Sequence, residues 1–365
     1  MAETPRVSVV MPVHNGARYL ERAIESILAQ TFTDFEFVIV DDGSTDATPE
    51  LLRRYQAADR RVRVHRQPQA GLAVSLNRGC SVARGTYLAR MDADDIAFRE
   101  RFARQVEFLD RHPAVAVVGT AVVRIDAAGR EIKQSGGPTS HEEIVRALRQ
   151  YTCFTHPSVM LRAAALAAVG GYRNAYAPAE DYDLWLRLSE RYELANLPEP
   201  LLYYRVHPDQ VSTRQLDQQI LSVVGARTAA QQRARTGADR TPHDELITPR
   251  LLREWGVADA AVAAAMGEGY RYAAYLLQQA GCQREALELL RAGWHRAKGA
   301  DRALERQYAA ACWQEAKAAR RAGRRWAGLH WGMRAWRAQP LLPLRLLRDR
   351  FVRARHDVGN AGAHL

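Results

Sequence analysis

The sequence predicts an α/β protein in which a mostly parallel sheet flanked by helices is followed by an all-helical C-terminal region. Three observations predict this fold class. Short apolar runs alternate with stretches of helical periodicity up to Asp95, acidic residues follow several of these runs, and residues 246–365 are rich in Ala, Leu, Arg and Trp. Strands that alternate with helices along a chain favour parallel pairing.

The first elements form a strand–helix unit. Residues 5–13 are an apolar run typical of a buried strand, and residues 14–16 then open a helix with apolar side chains at helical spacing. These side chains are Leu20, Ala23, Ile24, Ile27 and Leu28. A second strand is expected over residues 35–40. Thr48 and Pro49 then supply the N-cap and the first-turn proline of a second helix.

The pattern continues with a third short strand over residues 62–65 and a helix over roughly residues 72–83. Gly85 then leads into a fourth strand that begins near Tyr87. These alternating units extend the parallel sheet by one strand each.

Three carboxylates stand where the fourth strand should turn, namely Asp92, Asp94 and Asp95. Two Asp residues separated by one spacer can hold a divalent cation and leave coordination positions for a diphosphate. Parallel sheets bind ligands beyond the carboxyl ends of their strands, where the strand order reverses. We expect Asp94 and Asp42, which follows the second strand, to lie there. The alternative is an acidic turn that only ends the strand.

Several ordered motifs resemble those of glycosyltransferase family 2, a family of inverting enzymes with the GT-A fold. The resemblance rests on residues 9–15, 40–46 and 92–95, and it extends to about residue 213. The later segments are residues 156–160, 170–172, 180–187 and 204–207, with Ser212. The resemblance implies a Rossmann-like mixed, mostly parallel sheet. It also implies sugar transfer from a nucleotide-diphosphate donor, with UDP expected, to a hydroxyl of a saccharide or lipid-linked saccharide.

The resemblance also assigns residues to the nucleotide. Pro12 would meet the base through its backbone, and Asp42 would accept a hydrogen bond from the base. Asp92 would touch the ribose or the metal shell, and Asn77 would contact the donor. Asp42 has a structural alternative as a turn-forming residue in an Asp-Gly-Ser sequence. For Asn77 the alternative is a solvated polar residue.

A divalent cation, Mn²⁺ or Mg²⁺, is implied with Asp94 and His207 as its protein ligands. Imidazole is uncommon on magnesium and fits manganese better. The ion would act as a Lewis acid on the departing nucleoside diphosphate. His207 has two alternatives, a contact with the diphosphate and a purely structural role.

Asp181 is implied as the catalytic base, since inversion in a single displacement needs one carboxylate to take the acceptor proton. Three further residues are assigned to the acceptor side or to support of the site: Glu180, His156 and Arg205. A helix N-terminus lowers the pKa of a carboxylate, so burial or Glu180 must raise that of Asp181. Apolar residues on one helical face would anchor this helix, namely Leu184, Trp185 and Leu188. The alternative is an ordinary acidic helix start.

The expected domains are a catalytic GT-A domain at residues 1–224, a linker at 225–245, and a basic, repeat-like helical domain at 246–365. Residues 275–290 resemble a tetratricopeptide-type helical hairpin, and a weaker echo follows 42 residues on. Residues 134–139, or those after His207, are candidates for a mobile segment over the donor.

Composition is consistent with two globular domains, since 47% of the 365 residues are hydrophobic and 25% are charged. The net charge is +11, and residues 281–365 alone carry 18 − 7 = +11. Four widely spaced cysteines indicate neither a disulfide framework nor a zinc site. With no signal segment and no long apolar run, a cytoplasmic location is expected.

Residues 341–353 mix apolar and basic side chains as an interfacial helix would. Peripheral contact of the basic C-terminal domain with an anionic membrane, on its inner face, would bring the cleft to a lipid-linked acceptor. The alternative is a core helix with a solvated basic face.

Three other functions fit less well. A sugar nucleotidyltransferase would carry a glycine-rich basic loop after the first strand, and residues 12–15 are not one. A nucleic-acid partner is not expected, because the basic region lacks a known reading motif. A nucleotide-sugar-binding protein without turnover would not need both Asp94 and Asp181.

Overall fold

The computed structural model describes residues 4–242 and 245–339. The chain divides into two compact units, Met1–Val257 and a second that begins at Ala258. The sequence placed this boundary at residue 246 and a linker from residue 225, but a helix spans Leu216–Thr236. Gly225 suggested a linker, yet it is a buried helical residue whose missing side chain leaves room for Ile247, 2.8 Å from an added Cβ.

The first unit contains one nine-stranded sheet. Its strands are β1 (Val7–Val13), β2 (Phe35–Asp42), β3 (Val62–Gln67), β4 (Tyr87–Arg90), β5 (Ile96–Ala97), β6 (Val115–Ile125), β7 (Glu131–Ser135), β8 (Met160–Arg162) and β9 (Glu193–Arg205). Its helices are α1 (Ala17–Leu28), α2 (Thr48–Ala58), α3 (Leu72–Val82), α4 (Arg101–Arg111), α5 (His141–Leu148), α6 (Ala163–Ala168), α7 (Glu180–Ser189), α8 (Val211–Arg214), α9 (Leu216–Thr236) and α10 (Pro249–Glu254).

The sheet is mixed, in the order β3-β2-β1-β4-β8-β6-β9-β5, with β7 beside β6. The first four strands in this order pair in parallel, whereas β8 is antiparallel to both β4 and β6. Strand order therefore reverses between β1 and β4. Val10 lies opposite Arg90 and Val13 opposite Asp41, so the carboxyl ends of β1, β2 and β4 share one edge, as predicted.

The predicted strand–helix units are present. The apolar face of α1 is fully buried through Leu20, Ala23, Ile24 and Ile27. The predicted cap of α2 is wrong, because Ala47 is the N-cap and Thr48 is the first helical residue, whose hydroxyl accepts a hydrogen bond from the Gly16 N–H at 2.9 Å. Asp46 accepts a hydrogen bond from the Thr48 N–H at 2.9 Å instead.

The two segments predicted to be mobile contain regular structure. Residues 134 and 135 are the last two of β7, paired with β6. After His207, residues 211–214 form α8. The cross-strand hydrogen bonds of β7 account for the first difference, since they fix two of the six residues of a segment whose glycines and proline favoured a loop.

The second unit is helical, with α11 (Asp259–Gln279), α12 (Gln283–Ala297), α13 (Arg302–Arg321) and α14 (Arg325–Ala338). Helix α11 packs on α12, and α13 packs on α14. Each pair turns at a glycine with positive φ, Gly281 at 79° and Gly323 at 73°, a conformation that favours glycine. These glycines are 323 − 281 = 42 residues apart, the spacing of the predicted repeat. Residues 341–353 lie outside the described residues.

None of the helices within the described residues is both long and apolar enough to cross a membrane.

Candidate functional site

The carboxylate cluster forms in the turn that follows β4. Asp92, Asp94 and Asp95 each offer an oxygen, and these oxygens lie within 4.8 Å of one another. Asp95 is buried, and its Oδ2 has no hydrogen-bond partner among the described residues. Burial, with the charges of Asp94 and Asp92, raises the pKa of Asp95 well above its ordinary value. Closely spaced oxygens that repel one another fit a bound cation.

His207 completes the predicted pair of metal ligands. Its Nε2 lies 2.9 Å from Oδ2 of Asp94, although the two residues are 113 positions apart. The Asp94 side chain is 30% exposed, so it is open to a ligand, whereas that of His207 is only 9% exposed. A set of carboxylate oxygens with one imidazole nitrogen suits Mn²⁺ better than Mg²⁺.

Arg205 holds the acidic turn in place. Its backbone N–H donates to Oδ1 of Asp95 at 2.8 Å, and its Nε donates to the carbonyl oxygen of Asp94 at 2.7 Å. Its guanidinium also stacks over the ring of Tyr19, 4.4 Å from the centroid. Of the two roles predicted for Arg205, the structure therefore favours support of the site, at the metal side, over a place on the acceptor side.

Arg90 is a functional candidate that the sequence analysis missed. It ends β4 with a side chain only 4% exposed, and it forms an ion pair with Asp92. Its charge also lowers the pKa of Glu180, Asp181 and His156, which places this cation among the groups of the site. The one signal in the sequence is a cation inside an apolar strand directly before three carboxylates.

Helix α7 carries the predicted base at its first turn. As predicted, Leu184, Trp185 and Leu188 are fully buried and anchor the helix. The Trp185 ring packs 5.3 Å from that of Phe154 and 5.8 Å from that of His156. This packing holds the first turn of α7 in a fixed position.

A buried ion-pair cluster further fixes α7. Asp183 has no exposed side-chain surface, and it pairs with Arg173 and Arg187. The Nε atoms of both arginines donate to its Oδ2 at 2.9 Å. A buried carboxylate with two such partners is satisfied, so Asp183 is structural while its neighbours at positions 180 and 181 remain available.

Burial raises the pKa values of Asp181 and Glu180 by different amounts. It raises the pKa of Asp181 to about 6, although the Tyr182 N–H, which donates at 2.7 Å, and the charge of Arg90 both lower it. Burial and the neighbouring Asp181 raise the pKa of Glu180 to about 8, and its Oε2 has no hydrogen-bond partner among the described residues. At neutral pH Asp181 is therefore mainly ionised and Glu180 mainly protonated, which resolves the conflict with the helix N-terminus.

Replacing Glu180 by Gln should change how stability depends on pH. The unfolded chain loses the Glu180 proton near pH 4.5 and the folded chain near pH 8, so the stability of the parent falls as pH rises between these values. Gln cannot ionise. We therefore expect Glu180→Gln to melt clearly above the parent at about pH 8 and close to it at about pH 5. Equal pH dependence in both proteins, with exposed Glu193→Gln as the control, would contradict this assignment.

On the donor side, Asp42 is already bonded within the fold. Its Oδ1 accepts from Gln67 Nε2 at 2.7 Å and from the Ala70 N–H at 2.8 Å, and its Oδ2 accepts from the Gly71 N–H at 2.9 Å. These bonds shape the loop between β3 and α3. The structure therefore favours the structural role of Asp42 over the predicted contact with the base. Pro12 is buried in β1, opposite Val40 of β2.

Asn77 holds the segment that carries Tyr172. Its Nδ2 donates to the Tyr172 carbonyl at 2.7 Å, and its Oδ1 accepts from the Tyr172 N–H at 2.9 Å. Because both ends of the amide are used, the structure favours this positioning role over the predicted contact with the donor. The Tyr172 hydroxyl lies 3.0 Å from Nε2 of His156. Burial, with Arg90 nearby, holds the pKa of His156 well below its ordinary value, so this imidazole is neutral.

Two adjacent glycines give a matched test of the Asn77 contact. Gly170 and Gly171 both have positive φ, at 80° and 73°, so alanine costs about 1–2 kcal/mol of backbone strain at each. Only at position 171 would the new Cβ lie 2.7 Å from Oδ1 of Asn77. Gly171→Ala should therefore lower the free energy of unfolding by about 1 kcal/mol more than Gly170→Ala, measured by urea titration. Equal losses would show that the contact is not tight.

Comparison with known proteins agrees with the fold and the motifs. The model of the family "Glycosyl transferase family 2" matches residues 8–169. The putative glycosyltransferase EpsE of Bacillus subtilis is 38% identical over 57% of this chain and 75% of its own. The O-antigen biosynthesis glycosyltransferase WbnJ of Escherichia coli is 33% identical over 55% of this chain and 80% of its own.

Solved structures show the same architecture. Residues 1–349 of TarS from S. aureus superpose with a TM-score of 0.51 and 17% identity, covering 92% of each chain. The structure of the same TarS fragment in complex with UDP-GlcNAc superposes on this chain with a TM-score of 0.53 at 16% identity. At such low identity the likeness concerns the fold alone, and it confirms the predicted GT-A arrangement with a helical C-terminal region. The relatives EpsE and WbnJ, together with the matching family model, show that the chain belongs to glycosyltransferase family 2.

Proposed function

We propose that the protein transfers a sugar from a UDP-sugar to a hydroxyl of a saccharide or lipid-linked saccharide, with inversion and with help from a divalent metal ion. The observation that carries the proposal is the approach of Asp94 to His207 at the end of β4. Arg90 forms an ion pair with Asp92 of this cluster, and its charge also acts on Asp181 in the first turn of α7. A cation site and a raised-pKa carboxylate on one sheet edge are the two groups that the reaction needs.

On the donor side, Asp94 and His207 would hold Mn²⁺ or Mg²⁺, while Arg205 keeps the acidic turn in position. A divalent ion bound there supplies Lewis-acid stabilisation of the charge on the leaving diphosphate. Asp92 remains the candidate for the ribose or the metal shell, with Arg90 fixing its carboxylate. The TarS complexes with UDP and UDP-GlcNAc support UDP as the nucleotide.

On the acceptor side, Asp181 would take the proton of the attacking hydroxyl. A pKa of about 6 leaves it ionised at neutral pH, yet more basic than an exposed aspartate. At neutral pH Glu180 stays protonated, so it places no second negative charge beside the base. His156 is neutral, and Tyr172 holds its ring. A neutral imidazole can form a hydrogen bond with the acceptor, but it cannot serve as a general acid.

The acceptor is proposed to be a saccharide of a cell-envelope polysaccharide. Support comes from the names of two relatives, WbnJ of O-antigen biosynthesis and AmsE of amylovoran biosynthesis in Erwinia amylovora, which is 33% identical over 57% of this chain. We place the protein in the cytoplasm, in peripheral contact with the inner face of the membrane through its basic C-terminal region. We propose no nucleic-acid partner.

A screen of nucleotide sugars tests the proposal. The parent and Asp94→Ala are incubated with each donor, a saccharide acceptor and Mn²⁺, and release of the nucleoside diphosphate is followed with and without acceptor. We expect the acceptor to stimulate release of UDP by the parent but not by Asp94→Ala. Donor binding with no release would instead indicate a nucleotide-sugar-binding protein, and formation of pyrophosphate from UTP and a sugar phosphate would indicate a nucleotidyltransferase.

A further inference from the structure

Helix α14 exposes a row of large apolar side chains. Trp326, Leu329, Met333 and Trp336 are 85%, 48%, 54% and 58% exposed. Their spacing of three, four and three residues places them on one face of the helix. We call this row the tryptophan stripe. Four large apolar side chains on one exposed helix face indicate an interaction surface for a protein or a membrane.

The opposite face of α14 is the one that packs within the second unit. Gly328, Ala335 and Ala338 are its buried residues. An added Cβ on Gly328 would lie 2.7 Å from Cγ of Arg320, which shows how closely α13 approaches. The small residues of α14 therefore face α13, and the stripe is not part of that helix pair.

Cations outnumber acids in the sequence that contains the tryptophan stripe. From residue 316 to residue 339 the sequence contains seven Lys or Arg and no Asp or Glu. These cations are Lys317, Arg320, Arg321, Arg324, Arg325, Arg334 and Arg337. Arg320 and Arg325 line one depression together with Leu329, so cationic and apolar groups adjoin directly. Such a surface complements a partner that is negatively charged and apolar just below its charges.

We propose that the tryptophan stripe and its cations dock on the anionic surface of a lipid bilayer. Tryptophan settles at the boundary between headgroups and acyl chains, and arginine extends its charged end toward the lipid phosphates. A second copy of the chain fits less well, because an isologous contact would bring the cations beside the stripe of one copy, such as Arg320 and Arg325, near the same cations of the other. A nucleic acid would use the cations but not Leu329 and Met333.

This surface gives the membrane contact of the proposed function a definite place within the described residues. It does not rest on the donor site or on the sugar chemistry, since no residue of the stripe belongs to either. Loss of sugar transfer and loss of membrane binding are therefore separate results.

The test is sedimentation of the full chain with vesicles of phosphatidylcholine, alone or mixed with phosphatidylglycerol. The parent should bind the mixed vesicles much more tightly than the neutral ones. The double variant Trp326→Ala, Trp336→Ala should weaken binding by about tenfold or more. Replacing two cations, Arg325→Gln and Arg337→Gln, should weaken it by a similar factor. Circular dichroism and thermal unfolding check that each variant is folded.

Matched controls come from the same unit. Tyr275→Ala removes an aromatic residue that is 39% exposed on α11, and Arg302→Gln with Arg306→Gln removes two exposed cations of α13. Both should bind vesicles as the parent does. Unchanged vesicle binding by the tryptophan variant would overturn the proposal. If only the arginine variant lost binding, the surface would be a simple polyanion site, and the proposal would again be wrong. A dimer without vesicles that the tryptophan variant converts to a monomer would assign the stripe to a second copy.

Discussion

Asp181→Asn is expected to lower the rate of sugar transfer by on the order of 10²- to 10⁴-fold while donor binding is retained. Asn keeps the size of the side chain and can still accept the hydrogen bond from the Tyr182 N–H. It cannot take a proton, so the acceptor hydroxyl would have to attack without losing its own. The buried apolar face and the Asp183 ion pairs hold α7, so the loss would reflect chemistry rather than folding.

The measurement is the initial rate of transfer, with donor affinity determined separately by calorimetry. Glu50→Gln is the matched control, since Glu50 is an exposed acid in the first turn of another helix, α2. In the parent the rate should also fall as pH drops through about 6, because Asp181 then becomes protonated. Transfer by Asp181→Asn at the parental rate would exclude Asp181 as the base.

Asp94→Ala is expected to remove metal-dependent donor binding, with a loss of affinity of about 100-fold or more. Changes to groups that merely orient metal ligands cost about 10- to 100-fold, and a direct ligand contributes at least as much. The substitution also leaves His207 without the carboxylate that lies 2.9 Å from its Nε2. Of the remaining acids, Asp92 forms an ion pair with Arg90, and Asp95 accepts the Arg205 N–H through Oδ1.

Calorimetry of UDP binding with Mn²⁺ and with a chelator gives the comparison. In the parent, the chelator should weaken binding to the level of Asp94→Ala, and in the variant it should have little further effect. The control is Asp34→Ala, which removes an exposed carboxylate just before β2. A variant that still binds UDP more tightly when Mn²⁺ is added would show that Asp94 is not the ligand.

The sequence was sufficient for features that depend on neighbouring residues. Apolar runs and helical periodicity predicted the units from β1 to β4, and the position of Asp94 after β4 follows from the strand alone. Reversal of strand order between β1 and β4 then brings Asp42 and Asp94 to one edge, as predicted. The face of α7 with Leu184 and Trp185 was also predictable, since it rests on spacing.

Other features that depend on distant contacts could not be predicted from local patterns, and the pairing of Asp94 with His207 was expected only from the family resemblance. The amide of Asn77 bonds to Tyr172, 95 positions away, and Arg205 bonds to the Asp94 carbonyl across 111 positions. No local pattern tells whether a polar side chain is already used by such a partner. The role predicted for Asn77 therefore differs from the one that the structure favours, and for Arg205 the structure decides between the two predicted roles in favour of support of the site. Arg90 was missed for the same reason, because its importance lies in what surrounds it.

The apolar surface of the C-terminal region shows a similar limit. Its sequence is uniformly rich in Ala, Trp and Arg, so the pattern predicted helices but not which face of each is covered. The packing of α14 on α13 through Gly328 and Ala335 decides this, and it leaves Trp326 and Trp336 exposed.

A crystal structure of the protein with UDP and Mn²⁺, with data collected at the manganese absorption edge, tests the proposed metal site directly. We expect an anomalous peak at bonding distance from a carboxylate oxygen of Asp94 and from Nε2 of His207, with the diphosphate on the open side of the ion. Bound UDP with manganese elsewhere, or UDP away from the carboxyl ends of β1 and β4, would refute the proposed site.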